Sequence, residues 1–377
     1  MVSERLKVGI TGYPVPGGSG VVASELGRLL ARRGHEVHFI AYAPPFRYSR
    51  FNENLYFHEV EVSSYPLFKY PSYTLPLAAK MAEVARQFAL DILHVHYAIP
   101  HATAGFLARA ILGNPPRPRL ITTLHGTDIT LVGSERSFYD ITCFSIRAAD
   151  RVTAISHYLK RATHEMFPTC CDLEVIPNFI DLAAFSPVRK DCERSRWAAP
   201  GELLLVHLSN FRPVKRPADT VHILARVNAT RRARLLLIGD GPEMARVLAQ
   251  ADELGVRDRV LPVGNQDDVQ PLLACCDVFL LPSEEESFGL AALEAMACGV
   301  PAVTSNVGGL GELVTDGEGG FRVAVGDTAT MADRVLQMAA DDRSLRKFKE
   351  GARTAAERFD ADKIIPMYED LYWRTLA

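Results

Sequence analysis

Short apolar runs alternate with segments of helical period along almost the whole chain. Each apolar run is bounded by Gly, Pro, Asn, Asp or Ser, and the segments between the runs repeat apolar side chains every three or four residues. This alternation is typical of βαβ units, in which a helix returns the chain so that the next strand lies parallel to the last. We therefore predict an α/β protein built on parallel sheets.

The predicted strands form two series. The strands of the first half are KVGIT, EVHFIAY, YFHEVEV, DILHVHY, LITTLHG and RVTAIS, and those of the second half are LLLVHLSN, RLLLIGDG, RVLPVG, DVFLLPS and PAVTS. Each series suffices for one doubly wound, Rossmann-like sheet. Because 377 residues exceed the usual size of a single core, we predict two such domains.

A stretch of low periodicity separates the two series. Residues 174–202 are rich in Pro, Asp and Arg, which is typical of a linker. We predict a first domain over residues 1–185 and a second over residues 186–359. The tail, residues 360–377, is amphipathic, and its period leaves open whether it packs on the second domain or crosses back to the first.

Composition narrows the choice of partners. A net charge of -3 offers no basic surface for nucleic acid or for an acidic membrane, so a small molecule is the expected partner. No apolar stretch approaches the roughly 20 residues that span a bilayer, and no signal-peptide core precedes the first strand, so we expect a cytoplasmic protein. The seven cysteines are odd in number and form no C-x-x-C pair, so we expect reduced thiols. The sequence does not fix the oligomeric state and leaves a homo-oligomer open.

The densest polar cluster lies in the segment LLPSEEESFGLAALEAMACGVP. A helix that begins near Phe288 would turn Glu286 and Glu294 toward one crevice, because eight residues advance about 80° beyond two full turns. The unpaired amides of its first turn would suit a phosphate, and the two carboxylates could accept hydrogen bonds from sugar hydroxyls. We therefore predict a nucleotide-sugar site here, with an acidic turn that only favours the helix dipole as the alternative. For Glu284 and Glu285 we expect no more than that dipole effect.

Basic side chains follow the first strand of the second series. Arg212, Lys215 and Arg216 come directly after LLLVHLSN. At the carboxyl end of a parallel strand, such side chains point into the crevice, where two cations would neutralise a diphosphate leaving group. The alternative is a solvated basic loop. The next turn, LLIGDGPE, carries Gly239 and Gly241, but such turns are common in parallel sheets and are a weak phosphate signal.

Histidines are concentrated at two strand ends of the first half. In HVHYAIPH, alternation places His94 and His96 on one face, which leaves Tyr97 at the strand end as the better candidate for the crevice. A zinc site is the less favoured interpretation of these histidines, because their spacing lacks a carboxylate or thiol partner, and satisfied core histidines are preferred. The motif TTLHGTD ends the next strand with His125 and Asp128.

A glycine turn, GGSG at residues 17–20, joins the first strand to the first helix. Many folds bind a phosphate at such a turn. A dinucleotide oxidoreductase is one alternative, but it requires G-x-G-x-x-G and an acidic residue at the end of the second strand, and the sequence has neither. By itself, the turn therefore suggests a nucleotide-phosphate site.

The segment ESFGLAALE matches the E-x7-E motif of retaining glycosyltransferases of family 4, and the chain resembles this family over nearly its whole length. The motifs that carry the resemblance, in order, are GITGYPVPGGSG, HFIAYAPPFR, ILHVHYAIPHA, TTLHGTDIT, VIPNFID, SNFRPVKR, LLLIGDGPE and ESFGLAALEAMACGVP. Within the family, SNFRPVKR together with TTLHGTDIT resembles the branch that performs the first step of bacillithiol biosynthesis. The resemblance implies the GT-B architecture, in which two Rossmann-like domains face each other across a cleft. It also implies transfer of N-acetylglucosamine from UDP-N-acetylglucosamine to the hydroxyl of L-malate, with retention and with no metal or other cofactor.

The same resemblance implies a role for each motif. Lys215 and Arg216 would neutralise the diphosphate, His125 would contact the sugar near the reacting carbon, and with Glu286 these residues would form the catalytic set. Glu294 would hold the ribose hydroxyls. The donor-binding residues would be Gly18, Asn210, Arg212, Lys215, Arg216, Gly239, Gly264, Glu286, Ser287, Phe288, Gly289, Leu290 and Glu294. The acceptor-binding residues would be Gly17, Ser19, Tyr97, Thr123 and Lys80, with Arg47 as a second candidate for the cation that meets the acceptor carboxylates.

Two further functions stay open at this point. One is a family 4 enzyme with another acceptor, such as inositol phosphate. The other is a non-catalytic sensor that binds the nucleotide sugar but turns nothing over. Release of UDP in the presence of each acceptor would separate these functions from transfer to malate.

Overall fold

The computed structural model describes residues 5–15, 17–45, 53–62, 72–113, 118–130, 135–168, 172–187 and 193–377. Arg47, one of the two candidate acceptor cations, lies outside the described residues. The chain divides into two compact units, Met1–Pro177 with Ile364–Ala377, and Asn178–Lys363. The division after Pro177 therefore comes earlier than the predicted domain boundary at residue 185.

The first unit is built on a seven-stranded sheet in the order β3-β2-β1-β4-β5-β6-β7, with all neighbours parallel. Its strands are β1 (Lys7–Thr11), β2 (Glu36–Ala41), β3 (Leu55–Glu59), β4 (Ile92–His96), β5 (Arg119–Leu124), β6 (Arg151–Ala154) and β7 (Leu173–Val175). Its helices are α1 (Gly18–Arg32), α2 (Thr74–Phe88), α3 (Thr103–Leu112), α4 (Thr127–Thr130), α5 (Arg136–Arg147), α6 (His157–Met166) and, at the chain end, α14 (Ala361–Leu376). The strand order reverses between β1 and β4, which is the switch point of a doubly wound sheet.

The second unit repeats this design with a six-stranded parallel sheet in the order β10-β9-β8-β11-β12-β13. Its strands are β8 (Leu203–Leu208), β9 (Ala233–Ile238), β10 (Val260–Gly264), β11 (Val278–Leu281), β12 (Ala302–Ser305) and β13 (Gly320–Val323). Its helices are α7 (Pro217–Asn228), α8 (Met244–Glu253), α9 (Gln270–Leu273), α10 (Leu290–Ala297), α11 (Leu310–Leu313), α12 (Thr328–Met338) and α13 (Asp342–Ala356). The switch point here lies between β8 and β11. The predicted α/β class with two doubly wound parallel sheets is confirmed.

The central strands are continuous apolar runs because both faces of a parallel sheet are covered. All four residues of β11 and all five of β4 are buried. Two short strands at sheet edges, β7 and β13, were not predicted, because three or four residues are too few to establish a period. The assignment of residues 174–202 to a linker was therefore wrong at its start, where Glu174 and Val175 belong to β7.

The C-terminal helix α14 belongs to the first unit from Ile364 onward, which resolves the alternative that its period left open. Its apolar positions are buried in that unit: Ile364, Ile365, Tyr368, Leu371 and Tyr372. Polar contacts reinforce the packing, since the Tyr372 hydroxyl lies 2.7 Å from His94 Nδ1 and Arg33 pairs with Glu369 at 2.7 Å. The helix is thus a structural part of the first sheet's surroundings.

The expectation of reduced thiols is corrected at one position. Cys275 is disulfide-bonded, whereas Cys143 and Cys276 are free. An odd cysteine count excludes complete pairing but not a single bridge, and sequence spacing cannot show which thiols meet in space. Across the described part of the chain, the helices are too short or too polar to cross a membrane.

Candidate functional site

In the second unit, most of the predicted donor residues follow the two strands that flank the switch point. β8 and β11 are hydrogen-bonded neighbours, with Val206 opposite Phe279. The segment after β8 carries Asn210 through Arg216, and the segment after β11 carries Glu286 through Leu290. The carboxyl ends of strands at a switch point are where open α/β sheets bind ligands. The topology therefore brings the two predicted segments to one edge of the sheet.

Lys215 and Glu286 are joined by a direct ion pair. Lys215 Nζ lies 2.5 Å from Glu286 Oε1, and the Ser283 hydroxyl donates to the same oxygen at 3.2 Å. The two charged side chains are 23% and 11% exposed, so solvent screens the pair only in part. An ammonium group has three donors, so Lys215 can hold Glu286 and donate to a ligand oxygen at the same time.

Arg216 has a left-handed backbone conformation, and its side chain is bonded to two carboxylates. Its φ of 46° lies in the left-handed region, and it precedes Pro217, the first residue of α7. Its guanidinium bonds Asp219 at 2.8 Å and Glu284 at 2.9 Å, and these bonds raise the pKa of Arg216. Glu284 thus has an ion-pair partner, which differs from the dipole effect expected from the sequence.

The helix of the E-x7-E motif begins at Leu290, two residues later than predicted. Gly289 precedes it with a φ of 97°, and a Cβ at this position would meet Leu310. The residues before Gly289 form a turn, in which the Glu286 carbonyl accepts from the Gly309 amide at 2.9 Å. The amides of the first helical turn are therefore those that start at Leu290, rather than those of Ser287 and Phe288.

The other predicted donor residues of the second unit lie on α10 or at the ends of the neighbouring strands β9 and β10, whereas Gly18 is the first residue of α1 in the first unit. Glu294 is on α10 and is 6% exposed. The Gly239 amide donates to the Gly264 carbonyl at 2.8 Å, so these two glycines meet at the ends of β9 and β10. Arg212 is exposed directly before the turn that carries Lys215.

Sequence reasoning missed a buried residue beside this site. His207, on β8, is fully buried, with Nδ1 2.9 Å from the Leu280 carbonyl oxygen and Nε2 2.8 Å from the Ser209 hydroxyl. Burial lowers its pKa to about 4, with the charge of Lys215 as a smaller cause. The signal was the single polar residue inside the otherwise apolar run LLLVHL.

In the first unit, the switch point lies between β1 and β4, and the predicted acceptor residues Ser19 and Tyr97 meet there. The Ser19 hydroxyl lies 2.7 Å from the Tyr97 hydroxyl. Tyr97 has a φ of 86°, and its amide donates to the Thr123 carbonyl at 2.9 Å. A Cβ at Gly17 or Gly18 would meet no atom within 4 Å, so these two glycines border open space within the unit.

His125 is buried next to Tyr97. Its Nε2 lies 2.8 Å from Nδ1 of His96, and its ring lies 5.2 Å from the Tyr97 ring. Burial lowers the pKa of His125 to about 3, so the imidazole is neutral near pH 7. His94 and His96 are fully buried, which confirms the prediction that they are core residues.

Asp128 joins the ends of β4 and β5. Its carboxylate accepts from the amides of Ala98 and Gly126, each at 3.0 Å, and from that of His125 at 3.3 Å. The carboxylate is 2% exposed, and burial raises the pKa of Asp128 against the effect of these bonds. The sequence placed Asp128 in the motif but assigned it no role. In the structure it fixes the backbone at His125 and Gly126 and at Ala98, directly after Tyr97.

Two predicted acceptor residues do not join this group. Thr123 is fully buried, and its hydroxyl bonds His94 Nε2 and the Thr153 hydroxyl, each at 2.7 Å. Its side chain therefore has no exposed atom for a ligand, although its carbonyl holds Tyr97. Lys80 lies on α2 and pairs with Glu83 at 2.9 Å, as a surface residue does. Within the described ranges, no cluster of His, Cys, Asp and Glu side chains could hold a metal ion.

Two family models match the chain. The model described as Glycosyltransferase Family 4 matches residues 16–184, and the model described as Glycosyl transferases group 1 matches residues 190–355. The first match lies mainly in the unit that carries Ser19 and Tyr97, and the second lies in the unit that carries Lys215.

Individual relatives agree with these matches. The N-acetyl-alpha-D-glucosaminyl L-malate synthase of Bacillus anthracis is 47% identical over 99% of this chain and 98% of that protein. The D-inositol 3-phosphate glycosyltransferase of Xylanimonas cellulosilytica is 30% identical over 94% of this chain and 91% of that protein. Among solved structures, the sucrose-phosphate synthase of Thermosynechococcus elongatus is 21% identical and superposes with a TM-score of 0.81 over 98% of this chain and 99% of that chain. The last likeness confirms the predicted GT-B fold class.

Proposed function

Because this chain belongs to glycosyltransferase family 4, we propose that it transfers N-acetylglucosamine from UDP-N-acetylglucosamine to the hydroxyl of L-malate with retention at the anomeric carbon. The observation that carries the proposal is the match to the Bacillus anthracis synthase, which extends over nearly the whole of both chains. This reaction is the first step of bacillithiol biosynthesis. The donor is a charged diphosphate that does not cross membranes unaided, so we also propose a cytoplasmic location.

The donor site of this proposal lies at the β8 and β11 ends. Lys215 and Arg216 neutralise the diphosphate, with Asn210 and Arg212 beside them. The first-turn amides of α10 face the phosphate, and the carboxylates of Glu286 and Glu294 accept hydrogen bonds from the sugar and ribose hydroxyls. The ion pair between Lys215 and Glu286 supports this arrangement, because it holds a cation and a hydroxyl acceptor side by side.

The chemical step breaks the bond between the anomeric carbon and the UDP oxygen and forms a bond to the malate hydroxyl oxygen on the same face. The proton of that hydroxyl passes to the departing phosphate, so the products are the glycoside and UDP. A strong protein base is not required. The low pKa of His125, about 3, agrees with a step that needs no strong base, since such an imidazole is a poor base. In this proposal His125 serves instead as a neutral hydrogen-bonding group near the sugar.

The acceptor site of this proposal lies at the β1 and β4 ends. Backbone amides at Gly17 and Gly18 and the hydroxyls of Ser19 and Tyr97 bind the malate carboxylates. The open space beside the two glycines supports a ligand there, and the hydrogen bond between Ser19 and Tyr97 presets the two hydroxyls. We leave Thr123 and Lys80 out of this set, because the first is enclosed and the second is paired on α2.

An acceptor screen tests the proposal. Purified protein is incubated with UDP-N-acetylglucosamine and L-malate, D-inositol 3-phosphate or no acceptor, and UDP release is measured. We expect release with malate, a product mass equal to the malate glycoside, and an α-anomeric proton by NMR. Release with inositol phosphate alone would replace the acceptor, as the Xylanimonas cellulosilytica relative would favour. Donor binding without turnover on any hydroxy acid would indicate a sensor.

A further inference from the structure

A buried histidine and a serine connect the end of β8 to the segment that carries the proposed donor cations. His207 lies within β8, and the Ser209 hydroxyl bridges between His207 Nε2 at 2.8 Å and the Phe211 amide at 3.1 Å. The His207 ring also meets the edge of the Phe211 ring, with 5.4 Å between centroids. Phe211 is fully buried with a φ of 42°, an uncommon conformation for a residue other than glycine.

The direction of each hydrogen bond between Leu280 and Phe211 follows from the two backbone groups at which the series ends. The Leu280 carbonyl can only accept, so His207 Nδ1 carries the proton. In the neutral imidazole, Nε2 is then an acceptor, and the Ser209 hydroxyl donates to it. The Ser209 oxygen is left to accept from the Phe211 amide. With His207 neutral, every hydrogen bond from the Leu280 carbonyl to the Phe211 amide has a donor and an acceptor, and burial keeps His207 neutral near pH 7.

The opposite side of the same loop is fixed by the turn after β9. A Cβ at Gly239 would collide with the Ser209 carbonyl oxygen, and one at Gly241 would collide with the Asn210 carbonyl oxygen. The Glu243 amide donates to the Phe211 carbonyl at 3.0 Å. The loop thus lies between the glycine turn on one side and the hydrogen-bonded histidine and serine on the other.

We infer that His207 and Ser209 are positioning residues that hold the loop of residues 209–216 in the conformation that binds the diphosphate of the donor. The inference rests on the proposed function, because it assigns the diphosphate to this loop. Neither side chain has to touch the ligand. His207 is enclosed, and its effect reaches Lys215 through Ser209 and the strained backbone at Phe211.

Two substitutions of His207 separate its bond to the Leu280 carbonyl from its bond to the Ser209 hydroxyl. His207→Asn can still donate to the Leu280 carbonyl but is too short to reach Ser209. His207→Gln places an amide oxygen near the position of Nε2 and can accept from Ser209, at the expense of the Leu280 bond. Ser209→Ala removes the bridge directly. We expect Ser209→Ala and His207→Asn to weaken UDP binding roughly fivefold to tenfold in isothermal titration calorimetry, and His207→Gln to retain most of the affinity.

The matched control is Asn228→Ala. Asn228 also fixes a loop in the second unit, through bonds to the Leu224 and Ala233 carbonyls and the Ala233 amide, but at the amino end of β9. It should lower the thermal midpoint without changing UDP affinity. If UDP binding only reflected general stability, Asn228→Ala and Ser209→Ala would weaken it alike. A loss of UDP affinity in Ser209→Ala alone therefore indicates positioning of the loop. In turnover assays, the donor KM should rise in Ser209→Ala with a smaller change in kcat.

The outcomes keep the two proposals apart. If the wild-type protein does not bind UDP, the proposed function fails before any variant is made. If the wild type binds UDP and both Ser209→Ala and His207→Asn bind it equally well, the inference fails while the proposed function stands. The double variant His207→Asn with Ser209→Ala should be no weaker than either single variant, and additive losses would also overturn the inference.

Discussion

Truncation of Lys215 to alanine is the perturbation that tests the charge assignment most directly. It removes the ammonium group 2.5 Å from Glu286 Oε1 and leaves that carboxylate, 11% exposed, with the Ser283 hydroxyl as its remaining described partner. Two separate losses are expected. One is catalytic, because the departing diphosphate loses a cation. The other concerns stability, because a mostly buried carboxylate loses its counter-charge.

The magnitudes of these two losses differ. A unit charge about 4 Å away contributes about 4 kcal/mol at an effective dielectric constant of about 20, and loss of one preorganised contact to developing charge typically costs about 2.7 to 4 kcal/mol. Turnover of Lys215→Ala should therefore fall by about 10² to 10³. The unpaired Glu286 should reduce the free energy of unfolding by about 1 to 3 kcal/mol, which lowers the thermal midpoint by several degrees and leaves the protein folded at 25 °C.

The assay is UDP release at saturating donor and acceptor, with the thermal midpoint measured on the same preparation. Lys347→Ala is the matched control, since Lys347 is an exposed lysine on α13 of the same unit. Lys215→Arg, which keeps the charge, should fall between wild type and Lys215→Ala. Turnover of Lys215→Ala within about threefold of wild type would refute the assignment of this cation to the leaving group.

Three further predictions concern the first unit and the buried histidines. Gly18→Ala should stabilise α1 by up to about 1 kcal/mol yet lower turnover about tenfold. Gly20→Ala should instead destabilise the protein, because its Cβ would collide with the backbone. Equal stability and full activity for Gly18→Ala would contradict a ligand at that turn. Asp128→Asn should reduce the free energy of unfolding by about 1 to 3 kcal/mol, because an amide group would face a backbone N–H, and an unchanged urea midpoint would contradict this. The free energy of unfolding should fall as pH drops from about 7 to 5. The pKa values of His125 and His207 in the folded protein are about 3 and about 4, so below about pH 6.5 these two histidines bind protons in the unfolded chain but not in the folded one. Each of these histidines lowers the free energy of unfolding by up to about 1.4 kcal/mol per pH unit in that window. Equal urea midpoints at about pH 7 and about pH 5 would exclude this contribution.

The elements that the sequence predicted well are those whose surroundings impose a simple rule. Central strands such as β11 are covered on both faces, so an unbroken apolar run identifies them. The switch points follow from the strand order, and they explain why the residues after β8 and β11 come together although Lys215 and Glu286 are 71 positions apart. Edge strands and the start of α10 depend on single backbone conformations, such as that of Gly289, which periodicity does not register.

The residues that the sequence misjudged are those whose partners come from other strands. Thr123 lies one residue before the end of β5, but its hydroxyl is bonded to His94 on β4 and to Thr153 on β6. Alternation predicts the face of a residue, not which polar neighbours already occupy that face. The same limitation hid His207, whose bonds reach Leu280 on β11 and Ser209 after β8.

The charges around the proposed donor site divide into two kinds of cation. Lys215 and Arg216 are each bonded to carboxylates, which fix their positions but also offset their charge. Arg212 is exposed, and within the described part of the chain no ion pair involves it. In the proposed complex, Lys215 and Arg216 neutralise the diphosphate with charges that their carboxylates partly offset, whereas Arg212 and the amides of α10 add attraction that those carboxylates do not offset. Affinity for UDP should therefore depend on salt mainly through Arg212, because an exposed charge is screened far more strongly than a partly buried pair.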